Sequence, residues 1–216
     1  MNYRPGLKYT VSAFTSVEQA YLDAIEPYIG DKKFFISGPE HKTLKLRGRE
    51  IFGLVVVAHV LHFLVGGEWV PGTDPLGHDG VVMRVDDPKT RGEGRAYEQV
   101  FVPDVTSKNP YKSIEEGVLG AIERKADKGE SYRANTDLIV FVNRTGTIGD
   151  LRALADAAGQ LGYETIYLIA HYTKKDTVDE ISYLCVILSS PVYIRGPLKI
   201  KIDRKTGVGF VERVME

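Results

Sequence analysis

Fifteen consecutive residues, IFGLVVVAHVLHFLV at 51–65, carry no charged side chain. A helix built from them is apolar nearly all round, so other elements must cover it on several sides. The run falls short of the roughly 20 apolar residues that a bilayer core requires, and His59 and His62 lie within it. We therefore expect a buried helix rather than a membrane span, with the rest of the chain folded around it. Gly66-Gly67 mark its end.

The elements that would cover it can be read from local patterns. Ser16 and Gln19 form a capping box that opens a helix over 16–30, closed by Pro27 and Gly30. Two strand-like runs, 79–85 and 95–102, flank the turn-rich DDPKTRGEG and predict a hairpin. Ser113 and Glu116 form a second capping box, and Ile114, Val118, Ile122 and Ala126 fall on one face of the helix that follows. DLIVFVN, 137–143, reads as a buried strand. A glycine-containing turn leads from it to a helix closed by Gly162, then to strands at 164–172 and 181–190 and a tail with the look of an edge hairpin. This order predicts an α/β fold, a mixed central sheet flanked by helices. We read 1–216 as one domain: N-terminal helix and extension at 1–46, core at 47–172, C-terminal strands at 173–216. The one cysteine, Cys185, permits no intrachain disulfide, and MNYRPGLKYT has no secretory h-region, which suits a reducing, cytoplasmic setting without a membrane. With 28 basic and 29 acidic residues the chain neither announces nor excludes nucleic acid, because local patches matter more than the sum.

The hairpin carries a chemical question. Residues directly opposite in an antiparallel pair have a constant index sum and share a face. A tight turn Asp87-Pro88-Lys89-Thr90 has proline at its favoured second position and sets that sum at 177, which places Asp79 across from Glu98. Two adjacent carboxylates repel unless a cation lies between them. Mg²⁺ is commonly held by one or two carboxylates together with phosphate oxygens. The bland alternative stands beside this: Asp79 in a plain GHDG turn and Glu98 facing water. A register shift of one residue would set Asp79 against Tyr97 or Gln99 instead.

The order of helix, acid-bearing strand, second acid-bearing strand, helix and buried strand, with Glu50, Asp79 and Glu98, resembles the core of the restriction-endonuclease-like PD-(D/E)xK nucleases over about residues 47–172. The resemblance implies that Asp79 and Glu98 bind Mg²⁺ or Mn²⁺, that Glu50 on the first core helix assists, and that a lysine two residues after the second acid orients the attacking water. Here that position is Val100. Gln99 would stand in if a bulge turned it inward, and Lys112 and Lys125 are lysines that would migrate into the site. At a helix start, Glu50 is also favoured by the helix dipole alone.

Other candidates are weaker. His59 and His62 share a helix face but lack supporting zinc ligands, so core histidines bonded to backbone are the simpler reading. His171 ends a strand, where α/β proteins place function. The 143–150 loop precedes a helix and suits an anion, though it has neither GxxxxGK[ST] nor GxGxxG. Two basic clusters, His41/Lys42/Lys45/Arg47/Arg49 and Lys199/Lys201/Arg204/Lys205, are solvated faces or phosphate contacts. The expectation is a metal-dependent nuclease acting on DNA, with room for a homodimer. The alternative is a catalytically inactive binding module on the same fold, which the missing lysine motivates.

Overall fold

The computed structural model describes residues 7–8, 11, 13–31, 38–74, 76–86, 92–102, 111–130, 133, 135–144, 146–172, 177–189 and 193–214. The chain divides into two compact units. The first is Met1–Tyr97, Lys174–Ser182 and Ile200–Val211; the second is Glu98–Thr173, Tyr183–Lys199 and Glu212–Glu216. Each is an α/β assembly, and the fold class is mixed α/β, as expected.

The first unit holds strand β1 (Leu7–Lys8), helix α1 (Val17–Ala24), a 3₁₀ turn (Glu26–Tyr28), helix α2 (Gly48–Val65), strands β2 (Trp69–Gly72) and β3 (Val81–Arg84), and the first half of β4 (Glu93–Val102). Helix α2 is the predicted apolar element. Every residue from Ile51 to Leu61 is buried, with α1 and β2 packed against it. By length and composition its 18 residues would cross a bilayer, but 67% of them are buried inside the protein. Gly66, at φ 70°, ends it in a conformation that suits glycine.

Helix α1 is shorter than the sequence suggests. It stops at Ala24, and Pro27 sits at the start of the 3₁₀ turn that follows. Helical geometry is left at Ile25, and Pro27, which has no N–H to donate to a carbonyl of the preceding turn, falls in the tighter 3₁₀ turn instead. The N-cap is present, with Gln19 N donating to Ser16 Oγ at 3.2 Å. The Gln19 amide turns away to Asp23 Oδ1 at 2.7 Å.

Strands β2, β3 and β4 form an antiparallel meander. Its register is the one anticipated: Val81 pairs Ala96, Val82 pairs Arg95 and Met83 pairs Gly94, each pair summing to 177. Tyr97 N donates to Gly80 O at 2.9 Å, which extends the ladder one step. The turn 87–90 that suggested this register lies outside the described residues.

The second unit takes the rest of β4, helix α3 (Ile114–Ala126), β5 (Thr136–Val142), helix α4 (Leu151–Gln160), β6 (Thr165–His171) and most of β7 (Glu180–Ser189). β5 and β6 are parallel, with α4 between them in the chain, and β6 and β7 are antiparallel, so the sheet is mixed. Val118 and Ile122 of α3, Leu138 and Val140 of β5, Leu154 and Ala158 of α4 and Ile166 and Leu168 of β6 share one core. The predicted apolar face of α3 is buried in full: Ile114, Val118, Ile122 and Ala126. β8 (Tyr193–Asp203) and β9 (Gly209–Arg213) are the tail strands, and β9 ends the strand order.

Candidate active site

Glu50 and Asp79 belong to the first unit. Glu50 lies in the first turn of α2, and its Oε2 accepts the Arg47 N–H at 2.7 Å, half of a capping interaction. Burial pushes its carboxyl above the usual glutamate range. The Arg47 N–H opposes that shift, the charge of Asp79 adds to it, and the charges of Arg49 and Arg47 oppose it further. Two of the acids chosen from sequence therefore lie within electrostatic reach of each other.

Asp79 stands in the turn that leads into β3 rather than in the strand. Sequence reasoning overlooked what builds this turn. Asp74 is 4% exposed. Its Oδ1 accepts from Leu76 N at 3.1 Å, its Oδ2 accepts from His78 N at 3.0 Å, and the same oxygen pairs with His78 Nδ1. A buried carboxylate with three donors from Leu76 and His78 organises the turn before Asp79. The signal was present as an aspartate followed by proline and, two residues on, glycine. Gly80 then allows close approach: at φ 137°, a Cβ there would lie 2.5 Å from Leu54 Cδ1 and 3.2 Å from Leu46 Cδ1.

Glu98, Gln99 and Lys125 belong to the second unit. Glu98 is 2% exposed, so the reading in which it faces water fails. Its Oε2 forms an ion pair with Lys125 Nζ, and Lys125 is itself only 7% exposed. The same ammonium donates to Gln99 O at 3.3 Å. Lys125 sits three residues after Ile122 and four after Ala121, on the buried face of α3. Of the two lysines singled out from sequence, Lys112 is exposed and Lys125 meets the acid. Gln99 is buried, and what it gives the lysine is its main-chain carbonyl. β4 is covered on both faces from Ala96 to Gln99, whereas Val100 is only half-buried.

His62 Nδ1 bonds Gly67 O at 2.6 Å. His59 is buried, and its Nε2 has no hydrogen-bond partner among the described residues. Both rings line a cavity of about 520 Å³ in the first unit, together with Glu18, Glu68 and Trp69, and neither Glu50 nor Asp79 reaches it. His171 packs on Tyr183, with ring centroids 5.3 Å apart. Arg144 donates to the carbonyls of Tyr111, Lys112 and Ser113, which ties the 143–150 loop to the start of α3. Among the described residues no group of three or more His, Cys, Asp or Glu is placed to hold a metal ion. Compared with known proteins, the chain matches no family model, no curated protein and no solved structure.

Proposed function

We propose that the chain is a divalent-metal-dependent nuclease of restriction-endonuclease-like architecture, hydrolysing phosphodiester bonds in DNA. The observation that carries this reading is the buried Lys125–Glu98 pair. The sequence lacks a lysine two residues after its second acid, and a lysine from the next helix meets that acid instead. In this reading Asp79 and Glu98 are the metal carboxylates, the roles that the sequence resemblance assigns them. Glu50 assists beside Asp79. Mg²⁺ or Mn²⁺ suits this reading because such ions need only one or two carboxylates when water and phosphate oxygens complete the shell. The ion, when bound, would polarise the phosphate and lower the pKa of its water. Lys125, held by Glu98 and Gln99 O, would orient the attacking water; the oxygen of that water bonds to phosphorus, the bond to the leaving sugar oxygen breaks, and the water's proton passes to solvent while solvent protonates the leaving oxygen.

The test is cleavage of plasmid and single-stranded DNA with Mg²⁺ or Mn²⁺. Asp79→Ala should slow it on the order of a thousandfold, the equivalent of several kcal/mol of lost charge stabilisation. Equal cleavage by the variant, or none by the wild type with either metal, would remove the catalytic claim. The same ion pair also favours a second reading, a nucleic-acid or protein binding module without catalysis, because a carboxylate already neutralised by lysine has less charge to offer a cation. Metal-independent DNA binding that survives Asp79→Ala, without cleavage by the wild type, would select that reading.

A further inference from the structure

The sequence has two basic clusters, and the structure treats them differently. In the C-terminal one, Lys199 faces Glu212 at 3.7 Å, Arg204 pairs with Glu26 at 2.8 Å and Lys205 pairs with Asp179 at 2.7 Å. In the other, Lys42, Lys45 and Arg47 are exposed, and none of the three forms an ion pair among the described residues. From this contrast we propose that the loop at residues 40–47 is a clamp for the DNA backbone, with Lys42, Lys45 and Arg47 as its phosphate contacts. The inference rests on the nuclease reading and names the surface by which that site would hold its substrate.

The loop is built firmly. The backbones of Glu40 and Arg47 form an isolated antiparallel β-bridge, His41 N donates to Leu46 O at 2.7 Å, and Lys45 N donates to His41 O at 2.9 Å. Leu44 N donates to His41 Nδ1 at 3.1 Å. Leu44 and Leu46 are buried, so the loop points its leucines inward and its cations outward. Both leucines anchor it to the turn that carries Asp79. Leu44 O accepts Thr73 Oγ1 at 2.5 Å, one residue before Asp74. Leu46 packs against Gly80, one residue after Asp79. Arg47 caps α2, and its N–H is held by Glu50. The three cations are thus fixed to the backbone that presents Glu50 and Asp79, where a strand of DNA would pass.

Lys45 adds an independent sign. Its φ is 56°, a left-handed conformation that suits glycine or asparagine and strains a lysine. Asparagine would fit that backbone better, so what lysine adds at this position is its charge, which the clamp uses.

The experiment measures binding of a 20-base-pair duplex by fluorescence anisotropy in EDTA, so that cleavage does not intervene. The triple variant Lys42→Ala/Lys45→Asn/Arg47→Gln should bind about a hundredfold more weakly at 0.15 M salt and lose about 2.7 from the slope of log affinity against log salt, as expected for three phosphate contacts. Lys45→Asn alone removes the strain together with the charge. It should fold at least as well as wild type and bind about fivefold more weakly. Lys205→Ala, in the paired cluster, should leave affinity within about twofold. Wild-type affinity in the triple variant would overturn the clamp and leave the nuclease reading standing if Asp79→Ala still abolishes cleavage. A wild type that neither binds nor cuts DNA would overturn both.

Discussion

In the second unit a buried glutamate meets a buried lysine. In the first, a buried histidine has no hydrogen-bond partner at its Nε2 among the described residues, and a half-buried glutamate lies within reach of a second carboxylate. Both arrangements answer the same demand, since an isolated charge cannot be taken out of water cheaply. Glu98 and Lys125 answer it by pairing. His59 and Glu50 answer it by shifting towards their neutral forms: burial pushes the histidine down to about 4 and Glu50 upward. Pairing keeps two full charges in a dry place, where they act strongly on anything bound nearby. Shifting makes a group sensitive to pH and to any cation that approaches. A metal that displaced a proton from Glu50 would bind with a pH dependence that the Glu98 pair does not impose.

The largest effect should come from breaking the pair. Lys125→Met leaves the Glu98 carboxylate buried without its cation and should cost about 3–5 kcal/mol of stability, read by urea denaturation. Adding Glu98→Gln to that variant should recover part of the loss, because no unpaired charge then remains. A loss below about 1 kcal/mol for Lys125→Met would mean that the pair behaves as a solvated one and that the two regions do not differ in kind.

Next in size is the protonation of His59. The unfolded chain takes up this proton as pH falls through about 6.5, whereas the folded chain resists until about 4. Stability is therefore full above 6.5, falls as pH drops between the two values, and levels off below about 4. The total is about 3 kcal/mol, of which about 2 kcal/mol is lost by pH 5. His59→Leu should flatten this limb in paired urea curves at pH 7.5 and 5. A Cβ at Gly209 would strike the His59 ring, so Gly209→Ala should destabilise at both pH values and leave the slope unchanged. An unchanged slope in His59→Leu would assign the acid sensitivity to other groups and remove the histidine from the comparison.

The parts of the molecule that follow a period were legible. The run 51–65 gave a buried helix, the four-residue spacing in α3 gave its inner face, and the proline-bearing turn proposed at 87–90 gave a hairpin register that the observed pairs reproduce. Proline overrode the period in α1, because Pro27 has no N–H with which to continue the helical ladder. Lys125 was half legible. Residue type suggests water, but its spacing from Ala121 and Ile122 puts it on the apolar stripe, and position prevailed because Glu98 awaits it there. The Asp74–His78 contact has a helical i, i+4 spacing but no helix around it, since it arises in a turn whose shape the carboxylate itself imposes. The interleaving of three chain segments in each compact unit leaves no local trace in a sequence read from end to end.

The smallest predicted effect gives the sharpest contrast between the two glutamates. Glu50 has its folded pKa raised, so at pH values just above 4.5 the unfolded chain has lost a proton that the folded chain still holds. Ionisation of Glu50 therefore lowers stability as pH rises through that window, the opposite sign to a carboxylate held by a salt bridge. Glutamine keeps the shape and an oxygen to accept the Arg47 N–H, and removes the charge. Glu50→Gln should then match wild type near pH 4 and exceed it by a few tenths of a kcal/mol at pH 8, a modest gain because the group is partly solvated. Glu50→Ala, which also removes the cap acceptor, should lose about 1 kcal/mol. Thermal melts of the three proteins from pH 4 to 8 separate charge from cap. If Glu50→Gln proves less stable than wild type at pH 8, the neighbouring arginines outweigh Asp79 and burial, and Glu50 is a carboxylate that the fold prefers ionised.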